Sequence, residues 1–310
     1  MLLQQENDTT GISYCTHEQV PVGVDKIAAI EQSTLALHIG YDQDPGIRRK
    51  YKPNEDTVFV MHGVMSFTSA PSTPFVLLVV ADGMGGQGHG RTASRLAVQS
   101  LVEYMSDSPS LEERSTESLL SMLSAGVQHA NQIVYERNQQ QQTVMGTTMT
   151  AVMVIGSTAY VAHAGDSRFY LYREPMGLMQ LTHDHSLVAV LVADGIIAPD
   201  DIYTHPRRNV IYRSLGVEAI VEIDTSSGPL AAGDTLLVCS DGLWEMVRDR
   251  QIAAILTSPT AAPSDTAHAL SPCTHPGGTG RWRGRQCERH RSADKQCVMQ
   301  NQETLSHSTE

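Results

Sequence analysis

The chain has 310 residues, 41% of them apolar and 18% charged, and a formal net charge of −12. That balance excludes fibrous and low-complexity classes, allows one large domain with a sizeable core, and argues against a nucleic-acid partner held on a basic surface. No run of about 18 apolar residues is available to span a bilayer, Met1 to Thr10 are polar rather than signal-like, and five cysteines without a CxxC pair do not make a disulfide framework, so a cytoplasmic protein with reduced thiols and no membrane partner is expected.

Residues 1–34 carry no sustained period and read as a loosely held leader. From Leu35 onward, short apolar runs bounded by Gly, Pro and Asp predict strands at Leu35–Tyr41, Thr57–His62, Phe75–Ala81, Thr148–Ile155, Thr158–His163, Arg168–Arg173 and Thr235–Cys239. Helices are predicted over about Gly90–Met105, with Ala93, Leu96, Ala97, Leu101 and Met105 on one face, over Glu117–Arg137, and over Trp244–Leu256. Gly63–Pro74 and Asn138–Thr143 read as loops. Strands joined by hairpins, with the helices inserted as a block, predict an α+β fold, an antiparallel sandwich flanked by helices rather than a doubly wound sheet.

Four glycine-punctuated segments carry candidate chemistry. Pro53-Asn54-Glu55-Asp56 precedes a strand and follows Arg48-Arg49-Lys50; it suits a metal and a phosphate together, or simply a polar turn. Ala81-Asp82-Gly83-Met84-Gly85-Gly86-Gln87-Gly88 lies between a strand and a helix, where glycine lets a carboxylate and an adjacent carbonyl approach one ion. Gly83, Gly85 and Gly88 also satisfy GxGxxG, but the acidic residue that a dinucleotide site needs about 20 positions on would be Glu103, inside a predicted helix. Gly146-Thr147-Thr148 leads to Ala164-Gly165-Asp166-Ser167-Arg168, where Asp166 is either a ligand or a turn cap. In Ser240-Asp241-Gly242-Leu243-Trp244, Asp241 is either a ligand or a helix N-cap.

In order and wording these segments resemble the PP2C-type (PPM) metal-dependent serine/threonine protein phosphatases, bacterial branch, over roughly Leu35 to Leu256. The stretch from Thr182-His183-Asp184-His185-Ser186 through His205-Pro206-Arg207-Arg208-Asn209-Val210 to Arg213-Ser214-Leu215-Gly216 is similar to that family's flap over the substrate. A zinc site at His183, Asp184 and His185 would lack a fourth partner. The resemblance implies a four-layer α-β-β-α sandwich with two mainly antiparallel sheets. It also implies a pair of Mn2+ or Mg2+ ions held by Asp56, Asp82, the Gly83 carbonyl and Asp241, with a third, weaker site at Asp166 and Asp241. Those ions would activate a water for in-line attack on the phosphorus of phosphoserine or phosphothreonine. Arg49, with Arg48 as the alternative, would bind the phosphate through its planar fork. Met84 stands where animal members place a histidine acid. The implied partners are phosphoproteins made by serine/threonine kinases, acted on by a monomer.

The family pattern ends in a Gly-Gly-x-Asp-Asn turn, which supplies another metal ligand, and a final apolar strand. After Leu270 this chain changes instead to a net positive tail rich in Arg, Gly, Cys and His. A frameshift near Leu270 accounts best for the change, ahead of a lineage-specific tail or a zinc module of Cys273, His275, Cys287, His290 and Cys297. The expected organisation is therefore a leader over 1–34, a phosphatase domain over 35–270 without its closing strand, and a disordered tail over 271–310. An impaired phosphatase acting as a phosphoprotein-binding scaffold is the alternative function.

Overall fold

An apolar run buried on both faces has to be covered twice, and this requirement sets the layers of the computed structural model, which describes residues 36–44, 53–68, 71–107, 115–257 and 294–302. In chain order, β1 (Ala36–Asp44), β2 (Thr57–Met65), β3 (Thr73–Ala81) and the short β4 (Gly83–Met84) precede helices α1 (His89–Asp107) and α2 (Thr116–Gln141). There follow β5 (Gly146–Thr147), β6 (Met149–Ile155), β7 (Thr158–Ala164), β8 (Arg168–Arg173), β9 (Gly177–Gln180) and α3 (Leu187–Ala193). The last elements are β10 (Asp224–Pro229), β11 (Thr235–Cys239), α4 (Asp241–Trp244), α5 (Asp249–Leu256) and β12 (Asp294–Gln302). One sheet has the order β1-β12-β11-β8-β9 and the other β10-β7-β6-β3-β2, while β4 and β5 pair separately; the pairings are antiparallel.

Three apolar layers separate four layers of structure, as the implied sandwich requires. Val76, Leu78 and Val80 of β3 meet Phe169, Leu236 and Val238 of the other sheet. The alternate residues Phe75, Leu77, Val79 and Ala81 face Ala93, Ala97 and Leu101 of α1 and Leu119, Leu123 and Val127 of α2. On the far side, Tyr170, Leu237 and Cys239 are covered by Leu243, Trp244, Ile252 and Leu256. Both faces of β3 and β11 are thus dry, which is why these strands read as continuous apolar runs rather than as alternating ones. No helix among the described residues is long and apolar enough to cross a membrane.

Several boundaries differ from the sequence expectation for identifiable reasons. Only the two ends of the expected loop Gly63–Pro74 are strand, because β2 and β3 pair out to Met65 and Thr73. Helix α2 runs on to Gln141, past the expected end, because Asn138 is satisfied from inside the turn: its Nδ2 donates to the Met145 and Gly216 carbonyls (2.7 and 2.8 Å) and its Oδ1 accepts from the Met145 N–H (3.0 Å). The third predicted helix is broken into α4 and α5, with Gln251 Oε1 accepting the Arg248 N–H (2.8 Å) to start α5. Strand β10, of sequence DTSSGP, has no apolar period and is held by pairing with β7.

The largest difference lies in the tail. Residues 294–302, expected to be disordered, form β12 between β1 and β11, with Cys297 opposite both Tyr41 and Val238. Two neighbouring edges each present unpaired N–H and C=O groups, and a strand inserted between them satisfies both ladders through its backbone, whatever its side-chain pattern. The leader, Arg48, Arg49 and the remainder of the tail, including Cys273, His275, Cys287 and His290, lie outside the described residues.

Ending the chain at residue 293 should expose both edges, lower the thermal midpoint by at least about 5 °C and promote aggregation. An unchanged midpoint by calorimetry would contradict the placement of β12.

Candidate metal centre

The four candidate aspartates stand where strands end. Asp56 leads into β2, Asp82 follows β3, Asp166 lies in the turn between β7 and β8, and Asp241 opens α4 directly after β11. Both sheets therefore contribute. The Asp82 backbone is clamped on three sides: its N–H donates to Thr148 Oγ1 (2.9 Å), and its carbonyl accepts from the Thr148 N–H and from Thr147 Oγ1 (2.9 Å each). Thr148 Oγ1 in turn meets Ser167 Oγ at 2.8 Å, which joins this clamp to the Asp166 turn. That turn requires glycine at 165, where φ is +123° and a Cβ would fall 2.5 Å from Thr148 Cβ.

Gly83 is equally constrained, because a Cβ there would collide with the backbones of Glu55 and Gly90. The close approach brings the start of α1 against the segment leading to Asp56. Ser94 of α1 reinforces it by donating to the Glu55 carbonyl at 2.5 Å. Ser240 Oγ donates to Asp56 Oδ2 (3.1 Å), and Trp244 Nε1 donates to the Asp166 carbonyl (3.0 Å), so residues beside Asp241 hold two of the other three aspartates.

The electrostatics record how close these carboxylates are. Burial holds the Asp82 pKa well above the ordinary carboxylate range, and the charges of Asp56, Asp241 and Asp166 raise it further. Asp166 is pushed up by burial and then by Asp241 and Asp184. Burial, followed by Glu245, lifts Asp241 to about 6. The Asp241 Oδ1 is buried without a hydrogen-bond partner. Among the described residues, no group of three or more His, Cys, Asp and Glu side chains is already set to hold an ion. The donor chemistry nonetheless fits a hard divalent cation: oxygen atoms only, one of them orphaned, with mutual repulsion that positive charge would relieve.

The competing readings can be judged on the same geometry. Asp241 is not the N-cap of α4; that position belongs to Ser240. The GxGxxG reading requires a parallel βαβ unit, whereas β3 lies between the antiparallel β2 and β6. The zinc reading of His183, Asp184 and His185 also fails. Asp184 receives a bidentate pair of hydrogen bonds from Arg168 (3.0 and 2.7 Å), and His185 Nδ1 accepts the Gly165 N–H (3.0 Å) while its Nε2 faces Asp224 (3.1 Å). Arg168 also lies over the Trp244 ring, 3.7 Å from its centroid. The sequence marks Arg168, Asp184 and His185 only as members of their segments, and the pairing of Arg168 with Asp184 carries no local signal.

Raised carboxyl pKa values mean that the folded chain binds protons more tightly than the unfolded one. This contribution to stability is full below about pH 4 and is lost as pH rises through about 6. In chelator, the unfolding midpoint should fall across that window, Asp241→Asn should flatten the fall, and Mn2+ at neutral pH should raise the midpoint. A midpoint indifferent to both pH and Mn2+ would contradict a coupled carboxylate site.

The chain is similar to several known proteins. The sequence profile of the protein phosphatase 2C family matches residues 47–272. The serine/threonine phosphatase stp of Listeria monocytogenes is 38% identical over 224 residues, covering 72% of this chain and 84% of that protein. The serine/threonine protein phosphatase PstP of Mycobacterium tuberculosis is 36% identical over 240 residues, 76% of this chain and 42% of that protein. The crystal structure of M. tuberculosis PstP/Ppp matches with a TM-score of 0.68 at 31% identity, covering 85% of this chain and 98% of that one. A structure of the PstP catalytic domain in complex with 2 manganese ions matches with a TM-score of 0.67 at 30% identity, covering 87% of this chain and 100% of that one. With a family profile matched over most of its length and relatives of this similarity, the chain belongs to the protein phosphatase 2C family.

Proposed function

We propose that this chain hydrolyses phosphoserine and phosphothreonine in proteins, using a pair of Mn2+ or Mg2+ ions held by Asp56, Asp82, the Gly83 carbonyl and Asp241, with a third, weaker ion at Asp166 and Asp241. The observation that carries this reading is the set of aspartates at converging strand ends, three of which press upward on the pKa of Asp82. When bound, divalent ions supply positive charge that acidifies a water and offsets charge on the phosphate.

The protein's own groups supply position. Thr147 and Thr148 fix the Asp82 backbone. Ser240 occupies Asp56 Oδ2 and so sets the direction of that carboxylate. Trp244 fixes the Asp166 backbone through its carbonyl, and Gly83 leaves no side chain between Asp82 and the start of α1. Such preorganisation lets carboxylates stay close without rearranging during the reaction. Met84, next to Gly83, has no proton to give, so the leaving alcohol takes its proton from solvent in the site. Arg49 is assigned to the substrate phosphate through its forked guanidinium. The proposed substrates are cytoplasmic phosphoproteins made by serine/threonine kinases.

Phosphate release from a small phosphoester and from a phosphothreonine peptide should depend on Mn2+, and Asp82→Ala should lower kcat by roughly a thousand-fold or more. Release no greater than that of the Asp82→Ala variant would instead favour a phosphoprotein-binding scaffold.

A further inference from the structure

The segment 187–220 contacts the rest of the molecule at several places, among them one beside Asp82 and one at α4. Its far end is joined to β5: Thr147 and Leu215 exchange backbone hydrogen bonds of 3.1 and 2.8 Å. The same end is tied to α2, where Asn131 Oδ1 accepts the Gly216 N–H (2.8 Å) and Asn138 Nδ2 donates to the Gly216 carbonyl (2.8 Å). Because β5 pairs with β4, this attachment sits beside Asp82 and Gly83.

The middle of the segment reaches α4. Arg208 Nε lies 3.1 Å from Glu245 Oε1, close enough for an ion pair although not aligned as a hydrogen bond. Tyr203 packs at a tilt against Trp244 (6.2 Å between centroids), and the Arg248 guanidinium lies 3.3 Å over the Tyr203 ring. One segment therefore touches the Asp82 side and the Asp241 side of the site.

We propose that Arg208 is a positioning residue: through Glu245 it straps α4, and with it Asp241, to the segment whose other end holds β4 and β5 beside Asp82. Helix α4 has only four residues, too few to keep a helical turn by its own hydrogen bonds. Trp244 fastens it to the Asp166 turn, and Arg208 fastens the adjoining Glu245 to the segment. The Glu245 side chain is 5% exposed and that of Arg208 22%, so the carboxylate is nearly dry and the guanidinium beside it helps to offset its burial. Burial pushes the Glu245 carboxyl up, and Arg208 is the largest influence opposing that shift. The functional meaning rests on the proposed phosphatase reading; the strap itself is a statement about structure and can be tested without turnover.

The test is hydrogen–deuterium exchange on the full chain, comparing Arg208→Met, Arg208→Lys, Glu245→Gln and the Arg208→Met/Glu245→Gln double variant. Arg208→Met should speed exchange by on the order of ten-fold in residues 199–211 and 241–248, with residues 73–81 and 149–155 unchanged. Arg208→Lys should stay within about three-fold of the parent. Glu245→Gln should reproduce the Met result, and the double variant should go no further. Unchanged exchange in Arg208→Met, a loss shared equally by β3 and β6, or additive effects in the double variant would overturn the proposal. Absent phosphate release from the parent would count against the proposed function and leave this outcome standing.

Discussion

Four carboxylates brought to one end of a two-sheet sandwich repel one another, and the structure holds them there against that repulsion. Asp82 feels the charges of Asp56, Asp166 and Asp241 in a setting where burial already disfavours ionisation. Bringing charges together in a poorly solvated place is costly unless something positive joins them. The surrounding construction answers to this: rigid strand ends, glycines at contacts where a Cβ would collide, and hydroxyls that fix backbone and carboxylate orientation.

The sandwich makes the arrangement achievable. Asp82 comes from the sheet covered by α1 and α2, Asp241 from the end of β11 in the other sheet, and Asp166 from the turn by which the chain crosses between sheets. Because β3 and β11 are buried on both faces, their ends cannot drift without disturbing two layers at once. The site inherits that rigidity, and the less regular parts, the α4 turn and the segment 187–220, are tied to it by specific polar contacts.

The aspartates were legible because each is marked locally, by a preceding apolar run and an adjacent glycine or by the turn into a strand. The layers were legible because β3 and β11 are apolar throughout and the helices between β4 and β5 come as a block. What escaped were features decided by distant partners. Arg168 meets Asp184 across 16 residues of chain, and nothing in either local sequence announces the pair. Asn138 extends α2 through contacts with Met145 and Gly216, which a helix-propensity argument cannot see. Strand β12 is the clearest case: its composition gave no strand period, and its place follows from two waiting backbone edges.

Anomalous diffraction from crystals equilibrated with Mn2+ tests most directly whether the aspartate cluster is a cation site. Mn2+ peaks are expected among the oxygens of Asp56, Asp82 and Asp241, at roughly 2.0–2.3 Å as for other hard divalent ions on oxygen ligands. Clear peaks elsewhere on the protein with none among these three carboxylates would contradict that assignment.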